Sequence, residues 1–231
     1  MSTHILHNKK ILITAGPTRE AIDPVRYISN HSTGKMGYAI AESFLQQGAK
    51  VFLVSGSVGI SLQHPNLKLV KVNSANEMYL ACCRFFETVD IAVFAAAVAD
   101  YRPAQIAEQK IKKDDESFTI KMVKNVDIAY EFGKIKNVTQ LSVGFALETN
   151  DELKHAVNKL TKKNLDMVVL NSMNDEQATF GYDTNKISII RNDLIQKQFS
   201  LKQKTEVAKD IINEIETLLM EKTMLQKLSV A

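Results

Sequence analysis

At 231 residues the chain is long enough for one large α/β domain or two small ones, with a sizeable core. Hydrophobic residues make up 45% and charged residues 24%, which excludes a disordered or fibrous chain. The net charge of +3 is too small to argue for nucleic acid, and no apolar run approaches the roughly 20 residues that span a bilayer. The opening MSTHILHNKK has late charges and no long apolar stretch, which speaks against a secretory leader. Cys82 and Cys83 are adjacent and lack a C-x-x-C spacing, so they read as packing residues in a reducing, cytoplasmic compartment.

In chain order, KKILITAG reads as a buried parallel strand ending at Gly16. After a long polar loop, GKMGYAIAESFLQQG predicts an amphipathic helix closed by Gly48. The strands AKVFLVSG and LKLVKV follow, and Ser74 caps a predicted helix over ANEMYLACCRFFETV. Next come the strand DIAVFAAA, a helix after Val126, the strand QLSVGFAL, the helix DELKHAVNKLTKK and the strand LDMVVLN. This βαβα cadence predicts a Rossmann-like α/β fold, a mostly parallel sheet with helices on both faces. KIKKDDESFTIKMV alternates around a charged turn, as a β-hairpin arm over about residues 108–122 would, and NKISIIRND resembles another short strand pair. Both are expected outside the simple sheet, either as a flap or dimer contact or as ordinary edge hairpins. TEVAKDIINEIETLLMEK predicts a closing amphipathic helix with a frayed end, and with no repeat or linker the whole of 1–231 reads as a single domain.

Ligands of open parallel sheets bind beyond the carboxyl ends of the strands. The loop after the first strand is far longer than the usual two to six residues, and Ser32-Thr33-Gly34-Lys35-Met36-Gly37 opens a helix. Hydroxyls and backbone N–H groups there can cradle a phosphate, although Met36 and the missing upstream glycine exclude a Walker A loop; plain glycine-permitted helix packing is the competing reading. Ala95, Ala96, Ala97 and Asp100 follow the DIAVF strand, where small residues either admit a ligand or pack on a helix. Lys110, Lys112 and Lys113 are a solvated face or an anion-neutralising arm. Lys159 and Lys163 share a helix face beyond Phe145 and Glu148, as surface charges or as a grip on phosphate or base. The histidines have no ligand spacing, so no protein metal site is expected.

ITAGPTRE, DPVRYISNHSTGKMG, AAVADYRP, KIKK, TIKMVKNVDI and GFALETN closely resemble the phosphopantothenate–cysteine ligase family, in order from about Ile11 to Asn192. The chain looks like a stand-alone form, without the flavin-dependent decarboxylase domain that precedes it in many bacteria. The resemblance implies that the carboxylate of 4′-phosphopantothenate attacks a nucleoside triphosphate at its α-phosphate and that L-cysteine then displaces the nucleotide. Magnesium (Mg2+) would be held through the triphosphate. By position, Gly16, Ser32, Gly34 and Gly37 would hold the triphosphate, and Asn30 would bind the acyl carbonyl for the second step. Ala96, Ala97 and Asp100 would line the pantothenate. Lys110 would stabilise nucleotidyl transfer, and Arg26 would reach a substrate phosphate in the neighbouring subunit of a homodimer. Phe94, Ala95, Ala96, Asp100, Val126, Asp127, Ile128, Ala129, Phe145, Lys159, Lys163 and Asn171 correspond to nucleotide-binding positions. The KIKK arm and the lysine pair favour CTP over ATP, and FTIKMV and KISII would pair between subunits. Val126 stands where the family commonly has proline, and NSM stands for NDV near Asn171.

A nicotinamide-dependent reductase would need a Gly-x-Gly turn and an acid ending the second strand, which instead ends Val54-Ser55-Gly56. A non-catalytic nucleotide-binding module would be expected to have lost polar groups such as Asn30, Asp100 and Lys110, all of which are present.

Overall fold

In the computed structural model, residues 5–113, 117–175 and 181–230 are described, the last five of these by their backbone. The strand β1 (Lys10–Ala15) is followed by a small hairpin, β2 (Arg19–Ala21) and β3 (Tyr27–Ser29), then by α1 (Lys35–Gln46), β4 (Lys50–Ser55) and β5 (Leu67–Lys71). After α2 (Ala75–Cys83) come β6 (Ile91–Phe94), β7 (Tyr101–Pro103), β8 (Met122–Lys124), α3 (Ile128–Ile135), β9 (Leu141–Glu148), α4 (Glu152–Lys162) and β10 (Met167–Ser172). The chain ends with β11 (Thr184–Asn185), β12 (Ser188–Arg191), β13 (Gln196–Gln198), β14 (Lys202–Gln203) and α5 (Lys204–Val230).

Eight strands form one sheet in the order β13-β12-β10-β9-β6-β1-β4-β5. From β5 to β10 every neighbouring pair is parallel, while β12 and β13 run antiparallel. The chain grows outward from β1 first to one side and then to the other, so the order reverses between β1 and β6. That reversal opens a crevice at the carboxyl ends of those two strands.

Side-chain alternation along β1 builds a core on each face. Ile11, Ile13 and Ala15 point into a cluster with Phe44 of α1 and with Ile211 and Ile215 of α5. Leu12 points the other way, to Met78 of α2, Phe132 of α3 and Leu160 of α4. Each such Ile, Leu, Phe or Met side chain contributes about 1.5–3 kcal/mol on burial. Ser74 does cap α2, accepting from the Glu77 N–H at 3.2 Å, and Glu77 returns the favour to the Asn73 N–H at 2.9 Å. This helix stops at Cys83, earlier than the sequence pattern suggested, and the Phe86–Thr88 turn follows.

Two expectations are corrected. KISII takes the edge-hairpin alternative and does not await a second subunit: β12 is bonded on both sides within the chain, antiparallel to β10 and to β13. The hairpin expected within residues 108–122 is not formed among the described residues; instead β8 pairs with β7, Tyr101 facing Lys124. The tip, Asp114 to Glu116, falls outside the described residues. The closing helix continues to Val230, past the point where fraying was expected.

Candidate active site

The loop leaving β1 is fixed by polar groups that the fold buries. Thr18 donates its N–H to the Ala97 carbonyl at 3.3 Å, and its hydroxyl accepts from the Ala99 N–H at 3.0 Å. Glu20, buried, accepts from the Ala75 N–H at the start of α2 at 2.9 Å. The loop after β1 is thereby tied to the loop after β6, the two strands that flank the order reversal. The β2–β3 hairpin carries Asn30 back over the crevice, where its amide nitrogen donates to the Ala97 carbonyl at 3.1 Å. One of the two N–H bonds of that amide is used in this way, and the other remains to meet a ligand oxygen.

The start of α1 forms one wall. Gly34 takes φ +78°, a left-handed turn natural to glycine, and no side chain caps the helix. Gly37 lies so close to β1 that a Cβ would come within 2.6 Å of the Ala15 Cβ, so the helix can approach the strand only with glycine there. The result is a helix N-terminus, positive by its dipole, aimed along the crevice.

The crevice widens into a cavity of about 420 Å³, the size of a small-molecule site. Ser32, Gly34 and Gly37 line one end, and Phe94, Ala95, Ala96, Ala97 and Asp100 line the β6 side. Val126, Asp127, Ile128 and Ala129 bring in the start of α3, and Phe145, Lys159, Lys163 and Asn171 close the far side with Asn30 near the mouth. Sequence positions scattered over more than 140 residues thus meet in one place.

Two lysines at the α4 wall are held by carboxylates. Lys159 lies 3.5 Å from Glu148 and donates to the Phe145 carbonyl at 3.2 Å. Burial pulls its ammonium below the ordinary lysine range, and Glu148 opposes that only in part. Lys163 pairs with Asp127 at 2.9 Å, while the same carboxylate caps α3 through the Tyr130 N–H at 3.2 Å. The Asn171 amide oxygen is buried without a hydrogen-bond partner, a costly arrangement that a ligand donor would relieve.

Gly16, Arg26 and Lys110 do not line the cavity. Gly16 supports it from behind, with φ +73° and its backbone packed where a Cβ on Gly34 would come within 3.3 Å. Arg26 belongs to a separate latch. Asp23, its carboxylate wholly enclosed, receives the Arg26 guanidinium and the backbone N–H groups of Val25, Arg26 and Ile111. The guanidinium also donates to the Ile111 carbonyl at 3.0 Å. These bonds hold the Asp23 carboxyl well below the usual carboxylate range, the Arg26 guanidinium acting most strongly. Lys110 is thus next to a pinned residue, on the exposed strand-free stretch beyond the latch.

Several wall residues were not foreseen, including Asn125, Asn185 and Lys204. Asn125 donates to the Ala99 carbonyl at 2.8 Å and so shapes the Asp100 loop. Asn185 and Lys204 sit in a turn-like stretch and at a helix start, where a polar residue ordinarily faces water; the pairing of β11 with β14 holds Asn185 opposite Lys202, with Lys204 two residues on.

A model of the DNA/pantothenate metabolism flavoprotein C-terminal domain matches residues 6–219. The chain belongs to that family. This flavoprotein C-terminal-domain chain is 48% identical over 217 residues to the coenzyme A biosynthesis bifunctional protein CoaBC of Vibrio vulnificus (strain CMCP6), covering 93% of the chain and 53% of that protein. It is 47% identical over 213 residues to a protein named cysteine/cysteine sulfinic acid decarboxylase from an unknown prokaryotic organism, covering 92% and 59%. Among solved structures, the C-terminal domain of a CoaBC superposes with a TM-score of 0.80 at 39% identity, covering 95% of this family member and 100% of that chain. The chain therefore spans little more than half the length of these curated relatives. Its sheet order and mostly parallel strands are those of the expected Rossmann-like fold.

Proposed function

We propose that this chain is a phosphopantothenate–cysteine ligase, forming the amide between 4′-phosphopantothenate and L-cysteine for coenzyme A biosynthesis. One observation carries the reading: a single cavity joins an uncapped helix N-terminus, a row of small residues after β6, the Asn30 amide and the Lys159/Lys163 wall. Family membership and the similarity to CoaBC support it.

A carboxylate is a poor acyl donor because its leaving group would be oxide. In the first step one carboxylate oxygen of phosphopantothenate bonds to the α-phosphorus of the nucleotide, and the bond to the bridging oxygen breaks to release pyrophosphate. Helix α1 meets the triphosphate with its N–H groups, and Ser32 adds a hydroxyl. Lys110 comes from the arm to offset charge on the phosphorus under attack. In the second step the cysteine amine attacks the acyl carbon, loses a proton, and expels the nucleoside monophosphate. The remaining Asn30 N–H donates to the carbonyl oxygen as it becomes negative.

The base fits between the Val126–Ala129 segment and the α4 wall, where Asn171, Lys159 and Lys163 offer an acceptor and two donors. We favour CTP, by the resemblance of the arm and the lysine pair, with ATP as the other substrate to test. Among the described residues no group of three or more His, Cys, Asp or Glu could hold a metal ion. Asp100 and Asp127 are the exposed carboxylates at the cavity, a donor set that suits an ion carried on phosphate oxygens rather than a protein cage. Magnesium bound in that way would spread the triphosphate charge.

The fold is read as one domain working as a homodimer. Val25, Tyr27, Ile106 and Phe118 are 49–61% exposed beside the latch, an apolar surface that a twin chain would cover. Arg26, at its centre, would reach a substrate phosphate in the partner's site.

The experiment is to mix the protein with phosphopantothenate and CTP, then ATP, and to follow pyrophosphate before and after cysteine is added. Pyrophosphate that requires phosphopantothenate, with amide only after cysteine, supports the ligase. No pyrophosphate with either nucleotide removes it.

A further inference from the structure

The ligase reading leaves unassigned the cavity end beyond Gly34, where α1 meets the late elements of the chain. There β11 pairs antiparallel with β14, Asn185 opposite Lys202 and Thr184 opposite Gln203. Lys204 follows directly as the first residue of α5, its N–H donating to the Asp183 carbonyl at 2.8 Å. This short ladder sets Asn185 and Lys204 together in the wall, beside Lys35 and Met36 at the opening of α1.

Their chemistry suits an anion. Asn185 is 1% exposed, yet its amide oxygen has no hydrogen-bond partner and its amide nitrogen meets only the Met36 thioether, at 3.8 Å. A thioether is a weak acceptor, so neither end of this buried amide is well satisfied, and rotating it presents N–H to the cavity. Lys204 also donates to the Tyr182 carbonyl. Its ammonium is half-buried, and burial first, then repulsion from Lys35, pull it below the ordinary lysine range. Asp183, largely exposed, pairs with Lys35 at 2.6 Å and acts on the Lys204 ammonium as well.

We propose that Asn185 and Lys204, with the α1 N-terminus, form the subsite for the β- and γ-phosphoryl groups, which leave as pyrophosphate. This rests on the ligase reading and extends it to the leaving group. Negative charge grows on the departing pyrophosphate as the α–β bond breaks, and an ammonium and an amide N–H fixed at that end stabilise it. The two residues therefore act in the first step alone. The second step expels nucleoside monophosphate and leaves this end untouched.

The test uses inorganic pyrophosphate and CMP as separate competitors of CTP in the full-length protein, with variants Lys204→Gln and Asn185→Ala and the conservative Lys204→Arg. We expect both truncating variants to weaken pyrophosphate inhibition about tenfold or more, roughly 1.4 kcal/mol, while CMP inhibition stays within about twofold. Lys204→Arg should restore most of the pyrophosphate effect. Chemically prepared acyl-cytidylate should react with cysteine at the wild-type rate in every variant. Equal loss of CMP and pyrophosphate, or unchanged pyrophosphate inhibition in variants that melt cooperatively, overturns the subsite while wild-type turnover leaves the ligase standing. A wild-type protein that releases no pyrophosphate from CTP or ATP overturns the ligase and the subsite together.

Discussion

At the scale of single residues, the proposed ligase assigns its two reaction steps to different side chains. Asn30 keeps its amide in place through the Ala97 carbonyl, so Asn30→Asp replaces a donor by a negative charge where negative charge must develop. We expect Asn30→Asp to form acyl-nucleotide and accumulate it, and Lys110→Gln to slow its formation about 100- to 1,000-fold. Rapid-quench separation of the intermediate checks both; normal turnover by Asn30→Asp contradicts the oxyanion contact. Lys159 gives a pH test. Its ammonium loses its proton at lower pH than an ordinary lysine because burial disfavours charge, so an interaction with nucleotide weakens at lower pH than an ordinary lysine's would. Nucleotide affinity measured from about pH 7 to 10 should fall in wild type and hold in Lys159→Arg, whose guanidinium stays charged. Identical profiles contradict that assignment. Much of the cavity wall was legible beforehand, since Asn30 and Asp100 stand in long recognisable strings and Lys159 and Lys163 share a helix face. Asn185 and Lys204 were not. A polar residue after a turn looks solvated until tertiary pairing closes over it.

At the scale of elements, patterning found the strands of the parallel sheet and the helices between them because each is a buried apolar run or a clear 3.6-residue stripe. It left the irregular parts less well determined. KISII has the length and alternation of an edge strand, and nothing in its residues tells that β13 covers its outer side. The 108–122 stretch alternates as a hairpin does, but the latch and the β7 segment take its hydrogen bonds instead: the Ile111 N–H donates to Asp23 at 3.2 Å, and the Ala104 N–H to the Lys121 carbonyl at 2.8 Å. The latch predicts how the arm behaves. A carboxylate held below its ordinary range stabilises the fold above the unfolded value of about 3.9 and loses that contribution as pH falls through the lower folded value. The arm of the wild type should therefore resist proteolysis between residues 105 and 113 at neutral and mildly acidic pH alike. Asp23→Asn should be cleaved there faster at all these pH values, with a lower first-step rate because Lys110 is no longer delivered. Cleavage and rate both unchanged would show that the latch does not position the arm.

At the scale of the whole molecule, α5 ties the two ends of the sheet. Lys222 reaches Asp166 at 3.0 Å, beside Lys136 at 2.7 Å, at the amino ends of β9 and β10. Lys204, about 27 Å away along the helix at 1.5 Å per residue, stands at the carboxyl ends where the cavity opens. The helix that seals one core thus also carries a wall residue of the site. The apolar surface around Arg26 sets the second whole-molecule expectation, a dimer with shared sites. Sedimentation should give a dimer at assay concentration, and Arg26→Ala mixed with Lys110→Gln should regain part of the activity that each variant lacks alone. An active monomer would contradict the shared site. The central claim is that the carboxylate attacks the α-phosphate in this cavity, and isotope transfer tests it most directly. Phosphopantothenate labelled with oxygen-18 in its carboxylate, turned over with CTP and cysteine, should leave one labelled oxygen in the phosphate of CMP. Label appearing in inorganic phosphate, or absent from CMP while amide forms, would contradict the account.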